Sequence, residues 1–435
     1  MITALGFTLM LTIVTLILMR RITPLVAFVT LPVIACVMAG FGLGEIGKFI
    51  TEGLKAVAPT ATLFIFAILY FGVMRERGLF APLVNFLLKS TRGRPLAVAM
   101  VTVAVTAVTH LDGIGAATFL LVIPALLPLY LRLGMRREML LCLVVLSAGV
   151  MNMVPWGGTT ARASAVTGIE ASQLWISLIP IQVVGLALVM GLAVFLGLRA
   201  QRQLAGNGAL LGQPDADDTP VADTEHLLSP RTWRYWANLA LTVIILVCLF
   251  TGAFPLFACF MVGLGVALVL NYPSLEQQNK AVLRHASDAM QMALVMLAAG
   301  ILLGVLSGAG MSEGMARWMI DILPAGSANW LHVIIGAFGV PLGMLFSPDA
   351  YYFALLPVIR DVAVAAGVDP ASVANAMLIG ENTGFGVSPV VPSVYLAIGL
   401  AGVELYRHIR YTVLWAWGIS LVMLAAAVLL GVVTV

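Results

Sequence analysis

The stretch THLDGIGAAT at residues 109–118, followed by NMVPWGGTTARA at residues 152–163, decides the fold of this chain. An acid, several glycines, an Asn-x-x-Pro-x-Gly-Gly break and an arginine interrupt sequence that is otherwise apolar over long distances. Ionisable and helix-breaking groups are costly inside a bilayer, so they mark functional sites when they lie among membrane-spanning segments. A second stretch at 346–393 repeats the pattern, and the recurrence predicts a membrane protein with two related internal sites.

Composition supports a membrane protein with many spans. Of 435 residues, 61% are hydrophobic and only 10% are charged, whereas soluble domains carry about 25% charged residues. The net charge of +3 is too small to indicate nucleic acid as a partner. The sequence contains no nucleophile–base set, zinc-ligand spacing or phosphate-binding loop, so neither an enzyme nor an ATP-driven pump is predicted.

The apolar runs divide into two kinds. Two of them, 95–131 and 331–366, have apolar arms around a polar middle with Gly or Pro, which suits a re-entrant hairpin lined by protein or water. The others are long enough to cross the bilayer as helices. These predicted spans are 4–19, 24–42, 57–74, 138–168, 173–198, 236–253, 255–271, 287–307, 371–402 and 411–433.

Basic residues in short loops predict the orientation. Placing the arginine- and lysine-rich loops, among them the one with Arg75 and Arg77, in the cytoplasm requires both chain termini on the outer side of a bacterial inner membrane. Under this assignment 43–56 and 308–330 are exterior loops. The polar segment 201–235 is predicted to be a cytoplasmic linker between two halves of the chain.

The two halves resemble each other. FGVM at 71–74 matches LGVL at 303–306, and Asn152 with its following prolines and glycines matches Asn382. The halves, 1–200 and 236–435, each carry five predicted crossings and one hairpin, with broken helices at 138–168 and 371–402. An odd number of crossings inverts the second copy, so the sequence predicts an all-α fold of two inverted-topology repeats, with about ten spans and two hairpins.

Candidate site residues lie at the hairpin tips and helix breaks, because helix ends and freed backbone groups bind ions in inverted-repeat transporters. The tip acids Asp112 and Asp349 are candidate ligands for a cation, and Arg162 could bind a carboxylate through two hydrogen bonds. Glu381 lies within an apolar span, where burial favours a protonated acid, and is a candidate proton carrier. The first half contributes Asp112, Gly113, Gly115, Thr118, Asn152, Gly157, Gly158, Thr159, Thr160 and Arg162, with His110 a weaker candidate. The second half contributes Ser347, Asp349, Tyr351, Glu381, Asn382, Thr383 and Ser388, with Tyr352 an alternative to Tyr351.

The sequence resembles the citrate–metal–proton symporter family (CitMHS) along nearly its whole length. The resemblance is carried by LDG at 111–113, LPLY at 127–130 with RLGM at 132–135, GVMNMVPWGG at 149–158 with TARA at 160–163, SPDAYYF at 347–353 with LP at 356–357, SP at 388–389, and GVEL at 402–405. It implies proton-coupled uptake of citrate, typically as a complex with Mg²⁺ or Ca²⁺. It also implies a homodimer that works like an elevator and holds no permanent cofactor.

Two positions depart from the family pattern. Ile114 stands where that pattern has a second acid after the hairpin glycine, and Glu381 stands where it has a glutamine. Such changes would alter metal preference, proton stoichiometry or substrate. The alternatives are therefore a proton- or sodium-coupled transporter of another di- or tricarboxylate without metal, and a cation/proton antiporter of the same fold.

Overall fold

The computed structural model describes residues 2–19, 21–91, 94–206, 232–251, 254–322 and 327–435. Every regular element in these ranges is helical, which confirms the predicted all-α class. Most of the predicted linker at 201–235, including its acidic run, lies outside the described residues. The first-half helices are α1 Ile2–Leu18, α2 Pro24–Met38, α3 Leu43–Glu76, α4 Ala81–Ser90, α5 Pro95–Thr109, α6 Gly115–Arg132, α7 Arg137–Met151, α8 Gly158–Thr167 and α9 Ala171–Gly206.

The second half has shorter pieces around its hairpin. A 3-10 turn, Ala328–Trp330, precedes the hairpin, and a π-helical turn, Tyr351–Leu355, lies at its tip. Such π-helical insertions are rare and often lie at functional sites. The second-half helices are α10 Trp233–Thr251, α11 Leu256–Asn271, α12 Leu275–Gly308, α13 Met311–Ile322, α14 Leu331–Ala337, α15 Gly339–Leu345, α16 Pro348–Ala350, α17 Leu356–Ala365, α18 Pro370–Asn382, α19 Pro392–Ala401 and α20 Leu405–Leu429.

Seven described helices are long and apolar enough to cross a membrane, and the number is nine if two bent helix pairs each count as one span. The bent pairs are α14 with α15, at 67°, and α18 with α19, at 43°. Both arms of the first hairpin, α5 extended to Asp112 and α6, meet the length and apolarity of a span by themselves. Large apolar side chains such as Leu414 and Leu429 are exposed on the outer surface, as contact with lipid requires.

The prediction of loops at 43–56 and 308–330 is wrong, because both segments contain helix. Residues 43–56 are the start of α3, a single helix of 34 residues, and most of the second segment is occupied by α13. The reason is helical spacing of apolar residues, since Ile46, Gly53 and Val57 are buried on one face while the charged residues between them are exposed.

The helices pack in two groups. One group contains α1–α3 with α10–α13, and the other contains α5–α9 with α14–α20. The two groups meet where α13 packs on α17 and where α3 and α12 pack on α8. Within the first group, the long helices α3 and α12 cross so closely that a Cβ on Gly53 would lie 1.9 Å from the carbonyl oxygen of Gly300. Small residues allow this approach of two backbones, which is the usual way that membrane helices gain packing energy.

Candidate functional site

The centre of the second group is the point where the two broken helices meet. α7 ends at Met151, and the chain makes irregular turns over 152–157 before α8 begins at Gly158. Pro155 cannot donate a backbone hydrogen bond, and a Cβ on Gly157 would lie 2.0 Å from the carbonyl oxygen of Asn152. The break therefore depends on glycine at position 157, and it directs the amino terminus of α8 toward the protein interior.

Asn152 and Asn382 join the two breaks. The Asn152 amide nitrogen Nδ2 lies 3.1 Å from Asn382 Oδ1, and the Thr159 hydroxyl donates to the same oxygen at 2.8 Å. All three side chains are buried. The two asparagines are separated by 230 residues along the chain. Close packing accompanies this contact, since a Cβ on Gly149 would lie 2.4 Å from the carbonyl oxygen of Asn382.

The first hairpin tip lies against the first break. Trp156 donates its indole N–H to the carbonyl oxygen of Leu111 at 2.6 Å, and Gly113 adopts a left-handed conformation with φ of 71°. Asp112 is buried, and its Oδ1 accepts the backbone N–H of Ile114 at 2.9 Å. Its other oxygen, Oδ2, lies 2.6 Å from Nη1 of Arg75 in the last turn of α3. The tip acid is therefore neutralised by an arginine from the other helix group.

His110 lies beneath this tip. Its Nδ1 is 2.8 Å from the hydroxyl of Thr118, and the ring is fully buried. Its Nε2 is buried with no hydrogen-bond partner among the described residues. The predicted site hydroxyl of Thr118 therefore faces the histidine and the turn of its own hairpin.

Asp349, the acid at the second hairpin tip, is bonded to a second arginine, Arg162 of α8. Nε and Nη2 of Arg162 lie 2.8 Å and 2.7 Å from Oδ1 of Asp349, and Nη1 donates to the carbonyl oxygen of Gly158 at 2.7 Å. Ser347 caps α16 by accepting the N–H of Ala350. Arg162 is thus held at the amino terminus of α8 and bonded to an acid from the other half of the chain.

A third acid lies beside the centre, and no arginine of the described residues is bonded to it. Glu381 immediately precedes Asn382, and its Oε2 accepts the hydroxyl of Tyr352 at 3.0 Å. Both side chains are buried, and the positive charge of Arg162 acts on both. A proton at Glu381 would be shielded from water and close to the breaks.

The predicted residues separate into two sets. The structure brings together Asp112, Gly113, Asn152, Gly157, Gly158, Thr159, Arg162, Asp349, Glu381 and Asn382 around the two breaks. The other predicted side chains bond to the nearby fold: Thr160 to the Met153 carbonyl, Thr383 to the Ala416 carbonyl, Ser388 to the Val390 N–H, and Tyr351 to the Met377 carbonyl at 3.5 Å. A Cβ on Gly115 would lie 3.5 Å from the ring of Phe385, so this glycine serves packing between the first tip and the second break.

Sequence reasoning misses the roles of Arg75 and Trp156, and it names Tyr352 only as an alternative to Tyr351. Arg75 follows an apolar run and is predicted to lie in a loop, whereas it lies in the last turn of α3 with only a quarter of its side chain exposed. Trp156 and Tyr352 lie inside the motifs of the first break and the second tip, but nothing in their spacing indicates the Leu111 carbonyl or Glu381 as their partners.

No group of three or more His, Cys, Asp or Glu side chains is close enough to hold a metal ion in the part of the chain that the structure describes. A divalent ion at this centre would therefore need ligands from a bound substrate in addition to the tip acids. Near the carboxyl end of α8 a cavity of about 470 Å³ opens between α3, α8, α12 and α17, and Glu52 and Arg360 are among its lining residues.

The family model for the citrate transporters of CitMHS matches residues 2–380. The chain belongs to this family. Among its relatives, a citrate transporter of Bacillus subtilis (strain 168) is 37% identical over 434 residues, and a Mg(2+)/citrate complex secondary transporter of the same organism is 35% identical over 435 residues. Both alignments cover 100% of each chain. The family resemblance carried by the sequence motifs is confirmed, and this CitMHS member is a multi-pass membrane transporter.

Two solved structures share the fold of this CitMHS protein. The YdaH transporter of Alcanivorax borkumensis is 16% identical with a TM-score of 0.63, and covers 90% of this chain and 89% of its own. MtrF of Neisseria gonorrhoeae is 13% identical with a TM-score of 0.59, and covers 88% and 83%. At these identities the likeness describes the architecture of a membrane transporter and nothing about the substrate.

Proposed function

We propose that this CitMHS protein is a secondary active transporter that takes up citrate as a complex with a divalent metal ion, Mg²⁺ or Ca²⁺, together with protons. The observation that carries the proposal is the pairing of acid and arginine at both hairpin tips, on either side of the point where the broken helices meet. The site thus holds groups for both parts of the complex. Its arginines can bind carboxylates and its acids can bind a metal ion.

The two pairs are near neighbours around Gly157 and Gly158. A Cβ on Gly113, next to Asp112, would lie 3.4 Å from the Cα of Gly157, while the carbonyl of Gly158 accepts a bond from Arg162. Gly157 and Gly158 are consecutive residues, whose Cα atoms are about 3.8 Å apart. The two acid–arginine pairs therefore border the same short segment. The amino terminus of α8 adds free backbone N–H groups, which favour a bound carboxylate.

A proton is the proposed coupling ion, and Glu381 is the proposed carrier. A metal–citrate complex retains about one negative charge, and a bound proton would neutralise it in a site that excludes water. Glu381 is buried beside the breaks, and its Tyr352 partner can bond to either protonation state. The finding that both tip acids are bonded to arginines makes Glu381 the acid most available for proton transfer.

The transport movement that we propose is of elevator type. The group containing α5–α9 and α14–α20 holds both breaks and both tips and would move against the group of α3 and α12. The long helices α3 and α12 pack on each other, and they carry the FGVM and LGVL motifs that lie 232 residues apart, so they would be corresponding helices of two inverted repeats. A homodimer in the bacterial inner membrane, with both termini outside, completes the proposal.

A cation/proton antiporter fits the centre less well, because such a protein needs acids that are free to bind the cation. Transport of another di- or tricarboxylate without metal is one outcome of the uptake experiment below.

Purified protein in proteoliposomes would be given radiolabelled citrate with Mg²⁺, with Ca²⁺ or with EDTA, under an inward proton gradient. Gradient-driven uptake that requires the metal is expected. Uptake in EDTA would remove the metal from the proposal, and no uptake of citrate in any condition would overturn it.

A further inference from the structure

We propose that Arg75 and Arg162 are specificity-determining residues that let the site accept a metal–carboxylate complex and exclude both of its components. This inference rests on the proposed function, because it assumes that citrate is the carboxylate. Its mechanism is an exchange of ion pairs. When the complex binds, its carboxylates form ion pairs with the two arginines, and its metal ion binds the two aspartates.

The geometry that supports an exchange is the burial of two complete ion pairs. Asp112 has only 1% of its side chain exposed, and it is 2.6 Å from Arg75. Asp349 has 17% exposed, and it is 2.7 Å from Arg162, which has 10% exposed. An isolated charge in such surroundings is strongly disfavoured, so neither member of a pair can be released unless a replacement of the same sign arrives.

Charge counting shows why only the complex supplies both replacements. The site with its two pairs is neutral. Free citrate, a trianion, could bind both arginines but would leave the two aspartates without a cation beside them. A free divalent cation could bind both aspartates but would leave the two arginines unpaired. The complex satisfies all four side chains and adds about one negative charge, which a coupling proton can neutralise.

Arg75 is the member that can open the exchange. It is the most exposed of the four, with 25% of its side chain accessible, and it comes from α3 rather than from the helices that surround the breaks. Asp112 keeps a second bond, from the N–H of Ile114, so it would stay in place when the arginine leaves. Release of Arg75 also breaks an ion pair between the two helix groups.

Isothermal titration of the full-length protein in nanodiscs tests the exchange. Three titrants are used: sodium citrate with saturating MgCl₂, sodium citrate with EDTA, and MgCl₂ alone. The variants are Asp112→Asn, Arg75→Gln and the double variant with both changes. Arg317→Gln is the matched control, because it breaks an exposed pair with Glu313 on α13, with 76% and 69% of the two side chains exposed.

The wild-type protein and the control should bind citrate at least about tenfold more tightly with Mg²⁺ than with EDTA, since one orphaned member of a buried pair costs more than a tenfold change in affinity. In Asp112→Asn the unpaired Arg75 should favour the free anion, so this preference should fall about tenfold or more. In Arg75→Gln the unpaired Asp112 should allow MgCl₂ alone to bind, while citrate binding weakens. These opposite directions are not expected from general damage to the fold.

The double variant keeps the test decisive if a single variant does not fold, because it leaves neither charge unpaired. Its preference for the complex should lie below that of the wild type, and a wild-type preference would overturn the exchange. Equal losses for all titrants in both single variants would also overturn it. If the wild type binds citrate equally well with EDTA, citrate transport stands and the exchange fails. If it binds citrate in no form, the proposed function fails as well.

Discussion

Replacing Asn382 with alanine should disrupt the junction of the two broken helices, and the structure allows the effect to be sized. Its Oδ1 accepts hydrogen bonds from Asn152 and Thr159, and its Nδ2 donates to the carbonyl oxygen of Leu378. Each buried polar group that loses its partner costs about 1–3 kcal/mol. The two donors keep a weaker contact with each other at 3.4 Å, so part of this cost is offset. We expect a loss of about 2–4 kcal/mol in the free energy of unfolding.

Thermal unfolding in detergent, followed with a thiol-reactive dye, measures this change, because Cys36, Cys142 and Cys259 are buried in the folded protein. The matched control is Asn375→Ala on the same helix. Its Nδ2 donates to the Ser177 hydroxyl at 3.0 Å and to the carbonyl oxygen of Val432 at 3.3 Å, and its Oδ1 already lacks a partner among the described residues. The control should lose about 1 kcal/mol.

Citrate uptake separates the two variants further. Asn382→Ala should lose most of its uptake even where folded protein is recovered, because the breaks no longer hold each other in place. Asn375→Ala should transport in proportion to the folded protein present. The reasoning is refuted if the two variants are equally stable and Asn382→Ala transports as well as its control.

Three further changes test other contacts at the centre. Gly157→Ala would place a Cβ 2.0 Å from a carbonyl oxygen of the break. The free energy of unfolding should therefore fall by about 1–3 kcal/mol or more, and an unchanged unfolding midpoint would count against the described turn. Trp156→Phe keeps an aromatic ring but removes the indole N–H and its bond to Leu111. The change should cost about 1 kcal/mol and lower the affinity for citrate measured by titration, and equal affinity would show that the tip does not depend on this bond. Glu381→Gln keeps an acceptor for the Tyr352 hydroxyl and removes the acid. The uptake rate should therefore depend less on pH, while the unfolding midpoint stays near that of the wild type. An unaltered pH profile would exclude Glu381 as the proton carrier.

The acid–arginine pairs also bear on how the two helix groups communicate. Asp112 belongs to the group that holds the breaks, while Arg75 belongs to α3. Arg162 and Asp349 both belong to the group that holds the breaks, and they come from opposite halves of the chain. A substrate that replaces both pairs would therefore act on the contact between the groups and on the contact between the halves at the same time. Binding would then be coupled to movement through two identified bonds.

The sequence by itself determined the membrane class, the family, and the positions where helices break. These features are local, because hydropathy over about 20 residues decides whether a segment enters the bilayer, and proline with paired glycines interrupts a helix wherever it lies. The tips at Asp112 and Asp349 and the breaks at Asn152 and Asn382 can therefore be identified as candidates from residue types and spacing alone. Helical spacing around Ile46 and Gly53 is also present in the sequence, but the charges among those residues obscure it.

Only the tertiary structure decided which of these groups bond to one another. Arg75 meets Asp112, Arg162 meets Asp349, and Tyr352 meets Glu381. Hydrogen bonds and ion pairs require atoms to approach within about 3 Å, and residue spacing along the chain does not specify such distances between separate helices. Arg162, the candidate carboxylate ligand, is thus half of an ion pair, and Arg75, expected in a loop, is part of the site. Helix packing brings both arginines to buried acids that could not remain unpaired.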